Sequence, residues 1–261
     1  MVHIPRGNTQ KNVSRDVYET LLPELKNEAT KMLVDIPCGD GSFAEFIQNS
    51  HPKISVVGAD LHQEASGKLK AFYKSDAVHF LKYLCPKKVD IITCISGVMC
   101  FDRIEELFQQ FSKVLKNNGI VIITNDNVHT IRDRLSFLMF GYFKRFNPFY
   151  KKNEGIWKVV LPQEIVMHLE KNGFDDIKIK YTSTYYEDFL FFPLAVILFP
   201  VCVIGLLPKA QWNLRQVLKI YSFKMLIGRH YIVSAKKYSL GLLCFLSTEI
   251  NQLMQWAAQY G

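Results

Sequence analysis

No two of the six cysteines (Cys38, Cys85, Cys94, Cys100, Cys202 and Cys244) form the close pair that holds zinc or makes a redox dithiol; they are scattered through apolar stretches. A metal site and a disulfide framework are therefore not expected, and the thiols read as reduced and buried. The opening MVHIPRGNTQKNVSRD lacks the apolar central run of a secretory signal, so the amino-terminal part is expected to stay in the cytoplasm. No internal repeat or low-complexity linker interrupts the 261 residues. Charge is absent from one place in particular, the twenty residues FLFFPLAVILFPVCVIGLLP at 189–208.

What is present is a chain with 49% hydrophobic and 13% aromatic residues, enough for one large domain or a domain with an accessory region. The net charge of +8 suits nucleic acid or an anionic membrane surface. Its placement separates the two. Lys144, Arg145, Lys151 and Lys152 on one side, and Lys209, Arg215, Lys219, Lys224 and Arg229 on the other, flank the most apolar part of the chain, which fits a membrane surface better than a duplex.

Periodicity predicts strands alternating with helices as far as about residue 125, the pattern of a parallel sheet covered by helices. The reading gives a helix SRDVYETLLPEL, strand one KMLVDI, a helix from Gly41 or Ser42, strand two KISVVGAD, strand three AFYKS, a helix DAVHFLKYL and strand four VDIITCI. A long helix RIEELFQQFSKVLKNN carries apolar residues at Ile104, Leu107, Phe108, Phe111, Val114 and Leu115, with Gly119 expected as its left-handed cap before strand five, IVIITN. Further on come a helix LPQEIVMHLEKNG opened by Pro162 and closed by Gly173, a strand DIKIKYTST, a basic helix near WNLRQVLKIYSF and a strand RHYIVSAKK. The tail carries an apolar helical stripe at Leu242, Leu243, Leu246, Ile250, Leu253, Met254 and Ala257.

The stretch DIPCGDGSF, Asp35 to Phe43, follows strand one directly. Glycine serves where backbone bends sharply or approaches a ligand without a Cβ in the way, so Gly39 and Gly41 point to a bound small molecule. Ligands of doubly wound sheets bind at the carboxyl ends of the strands, where this turn sits. Asp60 ends strand two and is placed to accept hydrogen bonds from ribose hydroxyls; Asp76 ends strand three, where it and Ala77 could edge an adenine ring. Three acids at three strand ends describe a nucleoside pocket. GDGSFA also satisfies G-x-G-x-x-[GA] of nicotinamide dinucleotide enzymes, but Asp35 and Asp40 would repel a pyrophosphate, whereas they favour a ligand carrying cationic centres.

Together VDIPCGDGSF, VVGADL, KSDAVHF, FDRIEELFQQFSKVLKNNGIVIIT and HLEKNGFDDIKI resemble the ordered motifs of class I S-adenosylmethionine-dependent methyltransferases over roughly residues 31 to 182, and GRHYIVSAKK is similar to that family's last strand. The resemblance implies an α/β, Rossmann-like, doubly wound seven-stranded sheet of order 3-2-1-4-5-7-6 with an apolar helical insertion before the last strand. It implies S-adenosyl-L-methionine as cofactor. Asp35, Pro37, Cys38, Gly39, Asp40 and Gly41 would lie at the methionine end, Asp60 and Leu61 at the ribose, Asp76 and Ala77 at the adenine edge, and Ile95 with Ser96 at the face beyond strand four. Pro37 departs from the family's usual first glycine.

A methyl on a sulfonium is already activated, so the protein mainly has to align an acceptor and exclude water. For a hydroxyl acceptor a general base would help, and His129, just past strand five, is the best-placed imidazole, although a surface histidine at a helix start is the commoner case. Asn125, Asp126 and Asn127 could order an acceptor or cap the following helix. Strand four ends CISGVMCF, without the Asn/Asp-Pro-Pro-aromatic run of exocyclic-amine methylation, so DNA is not expected as substrate. IRDRLSFLMFGYFKRF resembles the segment after strand five in bacterial methyltransferases of sugar and cell-envelope pathways, with Arg134 and Leu135 at the matching positions and Asn127 and Arg134 as acceptor-binding candidates.

Residues 189–208 are long enough to span a bilayer core of about 30 Å. A single crossing would strand the basic residues after it, and the last strand, on the far side, and Pro193 and Pro200 favour a kinked or re-entrant hairpin. Two readings stay open: an element dipping into the cytoplasmic leaflet, or a buried helix of a substrate lid or homodimer interface. The expected organisation is a helical lead-in at 1–30, a methyltransferase domain at 31–183 with 228–237, an apolar and basic helical insertion at 184–227, and an amphipathic helix at 238–261. The leading functional expectation is methyl transfer to an oxygen or nitrogen of a small, saccharide or lipid-linked acceptor near the cytoplasmic face of the inner membrane. A non-catalytic membrane-docked module and an RNA methyltransferase are the alternatives.

Overall fold

A computed structural model of the chain describes residues 4–5, 12–26, 29–62, 67–146, 148–149 and 158–238, so the amphipathic helix expected at 238–261 lies almost wholly outside the described residues. The first half runs α1 (Val13–Leu25), β1 (Lys31–Asp35), α2 (Ser42–Ser50), β2 (Ile54–Asp60), β3 (Phe72–Lys74), α3 (Ala77–Tyr83), β4 (Val89–Ile95), α4 (Ile104–Val114) and β5 (Leu115–Asp126). The second half adds α5 (Ile131–Phe140), α6 (Pro162–Lys171), β6 (Phe174–Thr182), α7 (Phe192–Leu206), α8 (Leu214–Ile220) and β7 (His230–Lys237).

The seven strands form one sheet of order β3-β2-β1-β4-β5-β7-β6. The first five strands are mutually parallel, and β7 runs antiparallel to both β5 and β6. Because successive strand residues point to opposite faces, one strand feeds two cores. Leu33, Ile91 and Ile122 join α1 and α2 on one side, while Val34, Ile92 and Ile123 join α3, α4 and α6 on the other. The strand order reverses between β1 and β4, which opens the crevice above their carboxyl ends.

Three expectations need correction. The long helix before strand five ends at Val114, four residues early, because Leu115 is already paired with Val89 and fully buried. The left-handed residue there is Asn118 (φ 62°), not Gly119. Gly119 is needed for closeness instead: a Cβ on it would lie 2.9 Å from Leu115 Cδ2, 2.9 Å from the Lys116 carbonyl and 3.1 Å from that of Asp90. The penultimate strand starts two residues earlier than read, since Phe174 pairs with Lys237, and its ladder is irregular between Asp175 and Lys178. Finally, the uncharged run forms no hairpin. A 3-10 turn, Tyr186–Phe191, leads into the single helix α7, with Pro193 in its first turn, where no amide is needed, and Pro200 inside.

Helix α7 is the odd element of the fold. Only Ala195 is buried, Leu194, Leu198 and Phe199 are partly packed on the core, and the rings of Phe192 and Phe199 meet Phe223 edge-on. Its outer side shows Val196, Ile197, Val201 and Ile204 to solvent, continuing Phe189 and Leu190. The most apolar 18-residue window of Tyr186–Leu206 has a mean hydropathy of 2.7, and only 6% of that window is buried.

The turn at 118–119 is testable by urea unfolding. Gly119→Ala is expected to cost about 1–3 kcal/mol of stability, since two of its three neighbours are backbone, whereas Asn118→Gly should change stability by less than about 0.5 kcal/mol. Equal effects of the two would contradict the turn described.

Candidate active site

The turn after β1 is built by its two glycines. Gly39 (φ 55°) and Gly41 (φ 75°) both lie in the left-handed region, and Gly41 sits directly ahead of α2. The chain enters the turn through a cis Ile36–Pro37 bond. Cys38 donates its amide to the Ala59 carbonyl (3.0 Å), and its side chain lies where a Cβ on Gly58 would be 3.0 Å from Sγ. Burial pushes the Cys38 thiol far up, so it is a protonated spacer. Asp40 accepts from the Ser42 amide (3.1 Å) and hydroxyl (2.6 Å), closing the turn onto α2.

Asp60, at the end of β2, locks this turn from the neighbouring strand. Its Oδ2 accepts from Gly39 N at 2.9 Å and its Oδ1 from His62 N at 3.0 Å. An ionised carboxylate has about four acceptor positions, so capacity remains for a ligand diol. Asp35, 2% exposed, accepts from Thr93 Oγ1 at 2.6 Å. Burial pushes its carboxyl up to about 7; the Thr93 hydrogen bond opposes that, and the nearby Asp60 and Asp40 add to it. Asp76 caps α3 by accepting from His79 N with one oxygen (3.1 Å).

A hollow of about 410 Å³ opens at these strand ends, lined by Pro37, Ala59, Asp60, Leu61, His62, Ser75, Asp76, Ala77, Val78 and residues 100–103. That volume lies in the roughly 300–1,000 Å³ range of small-molecule sites. Of the residues expected from sequence, Pro37, Asp60, Leu61, Asp76 and Ala77 line it. Asp35, Cys38, Gly39, Asp40 and Gly41 shape the adjoining turn. Ile95 and Ser96 do not line it; Ser96 (φ 54°) is tied through its amide to the Thr124 hydroxyl and carbonyl. The wall expected from them is supplied instead by Cys100 and Phe101, after the short 3-10 turn Val98–Cys100. The aromatic in VMCF was the available signal. Gly97 was also missed: a Cβ on it would lie 2.2 Å from Pro37 Cδ, so the proline ring presses on β4's exit.

Past β5 the structure reassigns the polar residues. Asn127 is fully buried; its Nδ2 donates to the carbonyls of Met225 (2.7 Å) and Gly228 (2.6 Å), and its Oδ1 accepts from His129 N. With both ends of the amide consumed by the fold, Asn127 is a structural tie, not an acceptor ligand. Thr130 caps α5. His129 is not the surface residue expected: its ring lies 5.8 Å from that of Tyr221, and its Nδ1 is buried without a partner among the described residues. Burial first, then the charge of Arg134, lowers its pKa to about 4, so the imidazole is neutral near pH 7. Arg134 lies beside it, donating to the His129 carbonyl (2.9 Å) and to Cys202 Sγ of α7 (3.1 Å). Asp126 is held by Arg145 (2.6 Å) and by His230 (3.0 Å). Among the described residues no cluster of His, Cys, Asp or Glu could hold a metal.

The turn and hollow fit an adenosyl compound with a cationic end: Asp60 and Asp76 line the hollow, Asp35 and Asp40 flank the turn, and Leu61, Val78 and Phe101 offer apolar walls. Comparison with known proteins agrees. Residues 34–121 match the family model of a methyltransferase domain. A SAM-dependent methyltransferase from Archaeoglobus fulgidus superposes with a TM-score of 0.57 at 21% identity, over 88% of this chain and 95% of that one. A putative S-adenosylmethionine-dependent methyltransferase from Listeria monocytogenes gives 0.55 at 14% identity, over 87% and 100%. Geranyl diphosphate C-methyltransferase from Streptomyces coelicolor A3(2) gives 0.52 at 13% identity, over 87% and 80%. No curated protein sequence matches the chain. Residues 34–121 carry a methyltransferase domain, and the chain has the fold of S-adenosylmethionine-dependent methyltransferases.

Proposed function

We propose that this methyltransferase acts at the cytoplasmic face of a membrane, on an oxygen or nitrogen of a small, saccharide or lipid-linked acceptor. The observation that carries the membrane part is the outward face of α7, whose apolar side chains have no cover among the described residues. The end of α5 extends it: Phe137, Leu138, Met139 and Phe140 are all more than half exposed. Exposed apolar patches larger than a few hundred Å² mark interaction sites. Exposed Lys209, Arg215, Lys219 and Lys224 lie on the elements following α7, as anionic headgroups require. The Streptomyces relative of the same fold holds geranyl diphosphate, an apolar chain with an anionic head, which supports an acceptor of that kind.

In this reading Asp60 takes the ribose hydroxyls on its remaining lone pairs, Asp76 and Ala77 edge the adenine, and Leu61 and Phe101 cover its faces. Asp35 and the Gly39–Gly41 turn hold the methionine end. The cofactor supplies an activated methyl, so the chain's own task is alignment and exclusion of water. In the same reading His129, neutral near pH 7, takes the proton of an acceptor hydroxyl, and its low pKa makes it a weak base.

Two outcomes follow. The bound cofactor is cationic and favours ionised Asp35, so binding below pH 7 must release the proton that burial retains; affinity therefore rises with pH, by about fivefold from pH 6 to 7 for a carboxyl titrating near 7. Calorimetry on Asp35→Asn should show weaker and pH-flat binding, and a slope surviving in that variant would remove Asp35 from the site. Second, the full chain should sediment with phosphatidylglycerol vesicles, with Val196→Asp/Ile197→Asp reducing binding about tenfold or more at unchanged cofactor affinity. Tritiated methyl should appear in the lipid-extractable fraction of membranes. A chain that stays in the supernatant, with label only in soluble products, would contradict the membrane reading.

A further inference from the structure

Beneath α7 lies a cluster of polar side chains that does not line the cofactor hollow. Three arginines around it each face a carboxylate: Arg132 lies 3.7 Å from Glu187, which Arg229 also reaches (2.6 Å), Arg145 pairs with Asp126 (2.6 Å) and Arg229 with Asp188 (2.9 Å). Arg134 differs. Its described partners are the His129 carbonyl and the Cys202 thiol, and it makes no ion pair among the described residues. A thiol is a weak acceptor, so a half-buried guanidinium is left with charge uncompensated, which costs free energy unless an anion completes it.

The groups beside Arg134 are suited to such an anion. Tyr221, half-buried, and the neutral His129 bring a phenol and an imidazole to the same place. Arg134's charge is felt at both rings, lowering the pKa of His129 and opposing the rise that burial causes at Tyr221. Above them, the only side chain of α7 that is not hydrocarbon is Cys202, which touches Arg134. From there α7 presents Val196, Ile197, Val201 and Ile204 outward, and α5, which bears Arg134, ends in the exposed Phe137–Phe140. A lone cation thus lies between the roots of two exposed apolar helices.

We propose that this cluster binds the oxyanion headgroup of an amphiphilic acceptor, a phosphate in the first instance, with Arg134 as the specificity-determining residue and the apolar tail lying along α5 and α7. This deepens the membrane reading above and rests on it for the source of the lipid, but not for the headgroup contact. Charge complementarity carries it: a cation without a partner carboxylate among the described residues, beside two hydrogen-bonding rings, under a wall of hydrocarbon.

The test is calorimetric titration of the cofactor-saturated full chain with three probes below their micellar concentrations: dodecyl phosphate, inorganic phosphate and an uncharged dodecyl ethylene-glycol ether. Dodecyl phosphate should bind at least tenfold more tightly than either of the others. Arg134→Gln should erase that advantage, Arg134→Lys should restore part of it, and Tyr221→Phe should weaken dodecyl phosphate about threefold. None of these should alter cofactor affinity or vesicle sedimentation, which also verifies that the variants fold. Equal binding of the uncharged ether, or full retention of dodecyl phosphate by Arg134→Gln, overturns the headgroup site while leaving vesicle attachment standing. Inorganic phosphate binding as tightly as dodecyl phosphate overturns the amphiphile. Loss of vesicle sedimentation in the wild type, with dodecyl phosphate still selected, would fault the membrane reading alone.

Discussion

The carboxylate of Asp60 is the hinge pin of the site. It is 8% exposed and spends one oxygen on Gly39 N and the other on His62 N. Charge-assisted bonds of this kind are roughly twice as strong as neutral ones, and here they join loops from two adjacent strands. The glycine turn is therefore held at a set distance from the end of β2, and the hollow between β2, β3 and the residues after β4 inherits its shape from that tie. Asp35 stands behind the same turn with its pKa raised chiefly by burial and further by Asp60 and Asp40, so a nearby cation favours its ionised form.

Much of this was legible in the residues. The strands announced themselves through β-branched runs, and the acids Asp35, Asp60 and Asp76 stood at strand ends where chemistry could be read from position alone. The departure at Pro37 has a local resolution that no pattern could reveal. The proline ring occupies space against β4's exit, and the small residue the arrangement needs is found there, at Gly97. The wall made by Cys100 and Phe101 was missed for a related reason: a 3-10 turn carries the chain back over the crevice, and three-residue turns leave no periodic signature. Helix α4 was drawn too long because Leu115 continues its apolar stripe while belonging to the strand. Tertiary pairing overrode local preference there.

On the acceptor side, side-chain ties replace regular structure. Arg145 reaches Asp126, and Arg229 grips Asp188 while lying over the Tyr185 ring at 4.4 Å. Burial would raise the pKa of Asp126, but His230 and Arg145 together hold it below the ordinary value, so the ion pair stays charged inside the protein. Asn127 fastens the same corner to the loop before β7. These ties fix α5 and the segment leading into α7 relative to the sheet. The outer surfaces of both helices, apolar and uncovered among the described residues, are thus borne on elements tied to the sheet without loosening the crevice.

The central claim is that the Asp60-pinned turn grips the cofactor. Calorimetric titration of S-adenosyl-L-methionine into the wild-type chain and into Asp60→Ala tests it most directly. The account predicts one site per chain in the wild type and at least about tenfold weaker binding in the variant, the scale of a lost charge-assisted hydrogen bond. Undiminished affinity in Asp60→Ala, or no heat from the wild type, would contradict it.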